Sequence, residues 1–241
     1  MINTFNVVWL ALTYNCNNKC SWCYSSSNTL KEKKILEKNK IIPILDLLDN
    51  LNIKRTILIG GEPTIYPYLD EVLFEHKKRG IKTGLVTNGR ILSNKEFSRS
   101  LLEKEVSYLT VSIEGYDSKS HDKITNIPGS YLESINGIKI ANEIGIKVSS
   151  NTVISKENCN DLEKILNSLI SLPLNTISFN LCGPCLNNEN KDLLNPYEAS
   201  KYFKKIYLYA QENNKKINLV TPTPLCFFEK EIRNEMTSST P

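Results

Sequence analysis

The sequence predicts an α/β fold, a partial (β/α)6 TIM-like barrel of parallel strands with its functional site at the carboxyl-terminal rim of the strands. Three observations support this fold class. Short β-branched runs alternate with longer amphipathic segments along most of the chain, as in βα units around a parallel sheet. Segments rich in cysteine, glycine and polar residues directly follow several of these runs. The chain has 241 residues, 40% of them hydrophobic, which is enough for one such domain.

The individual elements follow from this alternation. Six strands are predicted at 7–13, 56–59, 82–86, 108–113, 147–153 and 176–181, with a seventh candidate at 217–220. The helices between them are predicted at 34–51, 68–79, 94–104, 131–144, 160–171 and 196–213. Ser93 and Asn158 precede predicted helices, while Gly80 and Gly145 follow them, as expected for caps. The barrel is therefore expected to occupy residues 1–220, followed by a short tail at 221–241.

Charge and hydropathy exclude two classes of partner. The formal net charge of +4 arises from 30 basic and 26 acidic residues that are spread along the chain. Runs such as KEKK and KKR resemble solvated helix faces, so no nucleic-acid binding is expected. No stretch of about 18 apolar residues and no secretory leader is visible, which predicts a soluble cytoplasmic protein without a membrane partner.

The most informative motif is CNNKCSWC, which places Cys16, Cys20 and Cys23 directly after the first strand. The spacing C-x3-C-x2-C gathers three thiolates, which suits a soft-metal site and in particular three irons of a cubane cluster. The fourth iron then keeps an open coordination position for chemistry. Structural zinc and inert thiols stay open as alternatives, whereas seven cysteines without paired spacings disfavour disulfides. A fourth zinc ligand has six candidates: Cys159, Cys182, Cys185, Cys226, His76 and His121.

Three more motifs follow the next strands: GGEP after the second, TNG after the third and SIEG at the end of the fourth. The carboxyl ends of parallel barrel strands form one face, so the four motifs are expected to meet in a single site. Any one of them alone is as well explained by a simple turn.

These residues resemble the radical S-adenosylmethionine (SAM) superfamily, whose hallmark is a C-x3-C-x2-C loop after the first strand of a partial (β/α)6 barrel. The resemblance extends from about residue 7 to residue 220. It implies that Cys16, Cys20 and Cys23 bind a [4Fe-4S] cluster whose open iron is chelated by the amino and carboxylate groups of SAM. It further implies that an external donor of the flavodoxin or ferredoxin type reduces the cluster. SAM is then cleaved to a 5′-deoxyadenosyl radical that abstracts hydrogen from a substrate.

The resemblance also assigns roles around the cluster. Trp22 occupies the position of an aromatic residue that lies against the adenine, although a core anchor is the plain alternative. Gly60 and Gly61 are expected to let the backbone approach the ligand, and the turn at Glu62 and Pro63 is expected to present acceptors to the methionine amine.

Further cofactor contacts are expected from the third, fourth and fifth strands. Thr87 and Asn88 are candidates for the sugar or the amino-acid part of SAM, with a plain turn as the alternative. Ser112 and Glu114 stand where related enzymes more often have S-x-D-G and contact the ribose hydroxyls or the carboxylate. Glu for Asp keeps the acceptor but moves it by about one methylene. Asn151 is a candidate for the same ligand, or a polar residue at a strand end.

The stretch from SIEG to GSY resembles the branch of peptide-modifying maturases and sulfatase-maturing enzymes. The chain keeps His121, Asp122 and Gly129 of the pattern, but Thr125 stands where the branch usually has arginine. His121 is interpreted as a structural residue at a helix start rather than as a catalytic base.

The remaining cysteines leave several interpretations open. Cys182 and Cys185 in LCGPC are expected on the same rim, where they would bind an auxiliary cluster together with Cys226, donate a hydrogen atom, or form a pair of free thiols. Cys159 is interpreted as packing. A short segment follows Cys226 here, so the cysteine-rich extension of many maturases is expected to be lacking, minimal, truncated or outside this sequence.

The expected function is therefore a radical SAM enzyme that abstracts hydrogen from a peptide, as in the maturation of ribosomally made peptides. A small metabolite is the alternative substrate, and a zinc-stabilised, non-redox α/β binding protein is the alternative from another class. No side chain is predicted to act as acid or base, because the cofactor carries the chemistry.

Overall fold

A computed structural model of the chain describes residues 6–23, 35–182 and 194–220. Its centre is one sheet of seven parallel strands in sequential order, β1 to β7, which confirms the predicted fold class. The strands are β1 Val7–Thr13, β2 Arg55–Gly60, β3 Lys82–Thr87, β4 Val106–Ser112, β5 Lys147–Ile154, β6 Thr176–Leu181 and β7 Ile217–Leu219. Every predicted strand, including the seventh candidate, is present with ends within two residues of the prediction.

Helices follow the strands and cover one face of the sheet. They are α1 Lys38–Asn50, α2 Leu69–Lys78, α3 Lys95–Glu103, α4 Ser118–Thr125, α5 Ser130–Glu143, α6 Leu162–Ile170 and α7 Pro196–Glu212. Two short 3-10 helices, Pro63–Ile65 and Ile91–Ser93, lie after β2 and β3. Six of the seven α-helices were expected from the sequence, and α4 was not.

The two faces of the sheet differ because side chains alternate along each strand. Leu12, Leu58 and Leu85 point to the outer face and are fully buried under the helices. Strands this apolar are expected to be covered on both faces, but the inner face of this sheet borders a cavity. Its residues line a cavity, and on β5 and β6 they include polar side chains such as Asn151 and Ser178.

Helix α4 was missed because its sequence, SKSHDKIT, carries little apolar periodicity. A capping box starts it, in which the Asp117 carboxylate accepts a hydrogen bond from the backbone N–H of Ser120. Asn126 ends it in the left-handed conformation at φ 54°. This helix and the residue that caps it, Asn126, bind the loop that carries the cysteines.

Within the described residues, no helix is long and apolar enough to cross a membrane. The predicted tail at 221–241, together with Cys185 and Cys226, lies outside the described residues.

Candidate functional site

A cavity of about 360 Å³ opens on the inner face of the sheet. All three cysteines of CNNKCSWC line it, as do eight of the nine side chains or glycines predicted to contact the cofactor. Those eight are Trp22, Gly60, Gly61, Thr87, Asn88, Ser112, Glu114 and Asn151. The expectation that four separate motifs meet at one rim is thus met by the geometry, with Glu62 as the exception.

The cysteine thiols sit in a half-buried loop whose backbone donates to sulfur. The Asn18 N–H donates to Cys16 Sγ at 3.3 Å, and the Asn88 side-chain amide lies 3.9 Å from the same sulfur. Burial raises the pKa of Cys16 to about 11 and raises the pKa of Cys20 further. Bare thiolates are therefore disfavoured here, and a bound metal group would have to displace the thiol protons.

The loop is held from one side by the end of α4. The backbone N–H groups of Lys19 and Ser21 donate to the carbonyls of Thr125 and Ile124, at 2.9 and 3.1 Å. The side chain of Asn126 donates to the Lys19 carbonyl at 2.9 Å. These three bonds attach the residues on either side of Cys20 to the end of α4.

Arg90 holds the loop from the other side. Its Nη1 donates to the Asn17 carbonyl at 2.6 Å and to Asn18 Oδ1 at 3.2 Å, while its Nε pairs with the Glu133 carboxylate on α5. The Asn88 side chain adds a bond to Asn17 Oδ1 at 2.6 Å. Asn17 and Asn18 are thereby held by the TNGR segment, and through Arg90 they are linked to α5.

Glu62 is the one predicted cofactor residue that the structure places away from the cavity. Its carboxylate is fully buried and accepts from Thr64 N and Oγ1, from Thr87 Oγ1 and from Asn88 N, at 2.7 to 3.0 Å. Burial raises the pKa of Glu62, and these four bonds oppose that shift. The carboxylate therefore ties the GGEP turn to the TNG turn in this structure.

The glycines of GGEP line the cavity and make room for the backbone of the cysteine loop. A Cβ on Gly60 would lie 2.1 Å from the Thr13 carbonyl oxygen, and one on Gly61 would lie 2.3 Å from the Asn15 carbonyl oxygen. The Gly61 N–H donates to Thr13 at 2.6 Å and the Glu62 N–H donates to Asn15 at 2.8 Å. Close contact between the end of β2 and the cysteine loop explains the glycines.

Two buried acceptors of the cavity lining have no hydrogen-bond partner among the described residues: Glu114 Oε1 and Asn151 Oδ1. The second oxygen of Glu114 accepts from Val153 N at 2.9 Å, and burial raises the pKa of this carboxyl group to about 8. Ser112 is the register partner of Asn151 across β4 and β5. Unpartnered buried polar atoms are costly, so these two oxygens indicate a ligand that forms hydrogen bonds with them.

His121 has the structural role favoured by its sequence context. Its Nδ1 accepts the backbone N–H of Glu114 at 3.1 Å, and its ring contacts that of Tyr131 at 5.6 Å between centroids. Burial lowers its pKa to about 4, so the imidazole is neutral at pH 7. It supports the turn that presents Glu114.

Three further candidate ligands lie within the described residues, and none of them joins the three cysteines in a common group of metal ligands. His76 is buried in α2, where its Nδ1 bonds the Val72 carbonyl oxygen at 2.7 Å, and Cys159 lies in the apolar core, as its packing interpretation expected. Cys182 ends up at the end of β6, outside the cavity lining. Among the described ranges, no three His, Cys, Asp or Glu side chains are gathered as ligands of a single ion.

The donor set suits a group with several irons. A cubane needs each thiolate to bind a different iron, so the three sulfurs need not converge on one point. The cavity beside them and the two unpartnered acceptors leave space and hydrogen-bonding capacity for a second, organic group. The residues present therefore fit a cluster together with a polar cofactor.

Sequence reasoning missed the residues that position the loop, namely Arg90, Asn17, Asn126 and the carbonyl groups of α4. Arg90 follows TNG directly, but an arginine after a turn has many explanations. The carbonyl groups carry no side-chain signal at all. The capping box at Asp117 and Ser120 was the available signal for α4.

The fold and this site define an α/β-barrel protein with a cysteine loop at the rim of its strands. The sequence profile of the Radical SAM superfamily matches residues 10–169. The chain belongs to this superfamily, whose cofactors are a [4Fe-4S] cluster and SAM.

The chain is similar to curated proteins of different activities. It is 29% identical to the Fe-coproporphyrin III synthase of Methanosarcina barkeri over 68% of this chain and 40% of that protein. It is 23% identical to the antilisterial bacteriocin subtilosin biosynthesis protein AlbA of Bacillus subtilis, over 83% of this chain and 44% of that protein. The chain thus spans less than half the length of either relative.

A similar fold occurs in the crystal structure of Streptococcus suis SuiB bound to the precursor peptide SuiA. The TM-score is 0.75 at 20% identity, and the match covers 91% of this chain and 49% of SuiB. Another structure of SuiB, bound to SAM, matches with the same TM-score.

Proposed function

We propose that this protein is a radical SAM enzyme that abstracts a hydrogen atom from a peptide substrate. One observation carries the proposal. The three cysteines and the two unpartnered acceptors Glu114 Oε1 and Asn151 Oδ1 line the same buried cavity. This arrangement suits a metal cluster beside an organic ligand that donates hydrogen bonds.

The chain's own residues would bind and orient the cofactors. Cys16, Cys20 and Cys23 would hold the cluster, which, when bound, supplies the electron for the reductive cleavage of SAM. N–H donors directed at Cys16 would offset part of the negative charge on its sulfur. Asn151 would accept hydrogen bonds from the amine or the ribose hydroxyls. Glu114 would accept them once ionised beside the positively charged cofactor, and Trp22 would lie against the purine.

Two comparisons support a peptide as the substrate. SuiB, of which a complex with a precursor peptide is known, shares the fold over 91% of this chain. AlbA, a bacteriocin biosynthesis protein, aligns over 83% of it. The electron would come from an external protein donor of the flavodoxin or ferredoxin type.

A small molecule is the second candidate substrate. The observation in its favour is the higher identity, 29% to 31%, to an Fe-coproporphyrin III synthase and to the GTP 3′,8-cyclase of Aquifex aeolicus, although over shorter stretches.

Anaerobic reconstitution with iron and sulfide tests the chemistry. The reconstituted chain should hold about four irons and, with SAM and dithionite, should release 5′-deoxyadenosine. Cys20→Ala should abolish both, while Cys159→Ala, a change in the core, should leave both in place. A colourless chain, or an active and iron-loaded Cys20→Ala variant, would contradict the proposal. Deuterium transfer into 5′-deoxyadenosine from labelled peptides would then identify the target.

A further inference from the structure

The part of the cavity farthest from the cysteine loop is apolar. One row across the sheet, in register, consists of Trp9, Ile57, Gly84 and Tyr108, all on the inner face. Ile59 and Val86 lie one step nearer to the loop. We call the set Trp9, Ile57, Ile59, Val86 and Tyr108 the apolar floor.

Two features of the apolar floor indicate that it is built for an aromatic or aliphatic ligand. Gly84 has no Cβ, and one placed there would lie 2.1 Å from a ring carbon of Tyr108, so the ring occupies the space above this glycine. Trp9 leaves 54% of its surface exposed although it lines the cavity. An exposed indole inside a concave site is a large apolar surface that a ligand would remove from water.

The cavity contains no fixed cation within the described part of the chain. Among the described residues that line it, none is a lysine or arginine, and Glu114 is the one with a carboxyl side chain. The basic side chains of the same inner face, Arg55, Lys82 and Lys147, stand at the first residues of their strands and are exposed outside the cavity lining. Lys147 is the register partner of Tyr108, so these cations border the apolar floor from the solvent side. An anionic ligand on the floor would therefore lose its hydration and face only exposed, solvent-screened cations.

We infer that the apolar floor is a subsite for an uncharged, aliphatic or aromatic side chain of the substrate. The inference rests on the proposed function and specifies its substrate class. It separates this chain from the activities for which two relatives are named, because a coproporphyrin carries carboxylates and GTP carries a triphosphate. The side chain would lie over Tyr108 and Trp9, which brings its carbon–hydrogen bonds into the same cavity as the cofactor residues.

Binding can be measured on the full chain without its cofactors. The chain has two tryptophans, so Trp22→Phe leaves Trp9 as the single reporter of the apolar floor. The probes are N-acetyl-leucinamide, N-acetyl-lysinamide, the α-amide of N-acetylglutamate and GTP. We expect a saturable change in Trp9 emission with N-acetyl-leucinamide and at least about tenfold weaker binding of the three charged probes.

Variants in the same background locate the response. Val86→Lys places a charge in the apolar floor and should abolish the response to N-acetyl-leucinamide, and Ile59→Gln should weaken it. Leu47→Lys changes an exposed leucine on α1 and should leave it unchanged. Circular dichroism verifies that each variant is folded.

The ranking of the four probes decides the inference even where a variant does not fold. Charged probes that bind as well as N-acetyl-leucinamide would overturn it, as would a folded Val86→Lys variant with unchanged binding. The measurement is independent of SAM cleavage. If the chain prefers N-acetyl-leucinamide but forms no 5′-deoxyadenosine, only the proposed function is contradicted. If the chain cleaves SAM but shows no such preference, only the subsite is contradicted.

Discussion

At the scale of single residues, the polar groups around the cysteine loop mainly form hydrogen bonds with one another. Glu62 accepts four hydrogen bonds from Thr64, Thr87 and Asn88, and so joins two turns that sequence motifs alone assign to the ligand. Gly60 and Gly61 allow backbone contact with the loop. Motif residues can thus shape the site through their contacts with one another and with the cysteine loop.

Arg90 provides a direct test of such a positioning role. Arg90→Gln removes charge-assisted bonds to Asn17 and Asn18, which should cost about 1.5–3 kcal/mol of unfolding free energy and loosen the loop. We expect fewer irons per chain after reconstitution and faster hydrogen exchange at residues 17–19.

Arg79→Gln is the matched control. Arg79 is 14% exposed, against 17% for Arg90, and pairs with Asp46, Asp49 and Glu75 away from the cysteine loop. It should lose stability but keep its full iron content. Equal iron loss in both variants would show that general destabilisation, rather than the contact with the loop, accounts for the effect.

At the scale of elements, the decisive contact is between α4 and the cysteine loop. Asn126 ends α4 with φ 54° and donates to the Lys19 carbonyl. Asn126→Gly keeps the left-handed conformation but deletes this bond, so we expect a loss of about 0.5–1 kcal/mol in urea unfolding. Exchange of the Lys19 and Ser21 N–H groups should also increase.

Asn52→Gly serves as the comparison, since Asn52 has φ 56° and no side-chain hydrogen bond in the described structure. Its replacement should change stability little and leave exchange in the loop unaltered. The same response at both positions would refute a specific role for the Asn126 side chain.

Much of this architecture was predictable because strands and most helices are encoded locally. The strands β1 and β6 match the prediction residue for residue, since β-branched runs flanked by turn residues leave little choice. Helix α4 could not be found by periodicity, because it is stabilised by its capping box and by contacts with α5 and the cysteine loop. Those contacts are not local in sequence.

The sequence predicted which residues line the cavity better than it predicted their contacts. The positions of Ser112, Glu114 and Asn151 at strand ends already place them at one rim. The roles of Glu62 and Arg90 depend on partners 25 to 73 residues away, which no local pattern reveals. The apolar floor likewise appears only when Trp9 and Tyr108 are aligned across strands.

At the scale of the whole molecule, the chain buries ionisable groups whose pKa values are displaced in opposite directions. Burial raises the pKa of Glu114 to about 8 and that of Glu62, and it lowers the pKa of His76 and that of His121 to about 4. Desolvation disfavours the charged form of all four groups, and at Glu62 the four hydrogen bonds to its carboxylate oppose this effect. Folding stability is therefore linked to pH on both sides of neutrality.

For Glu114, the direction in which the unfolding free energy changes with pH can be measured. The folded chain keeps its proton up to about pH 8, whereas the unfolded chain releases it near the ordinary value of 4.5. The contribution of Glu114 is thus full below about pH 4.5 and is lost as the pH rises through about 8. Glu114→Gln cannot titrate and keeps an acceptor for the Val153 N–H.

We therefore expect the unfolding free energy of the iron-free wild-type chain, relative to Glu114→Gln, to fall by up to about 1.4 kcal/mol per pH unit between pH 5 and pH 8. Urea unfolding at a series of pH values measures this difference. The histidines cancel in the comparison, because they titrate alike in both chains. Parallel curves would mean that Glu114 ionises at its ordinary pKa in the folded chain, and that its buried oxygen is hydrated rather than kept for a ligand.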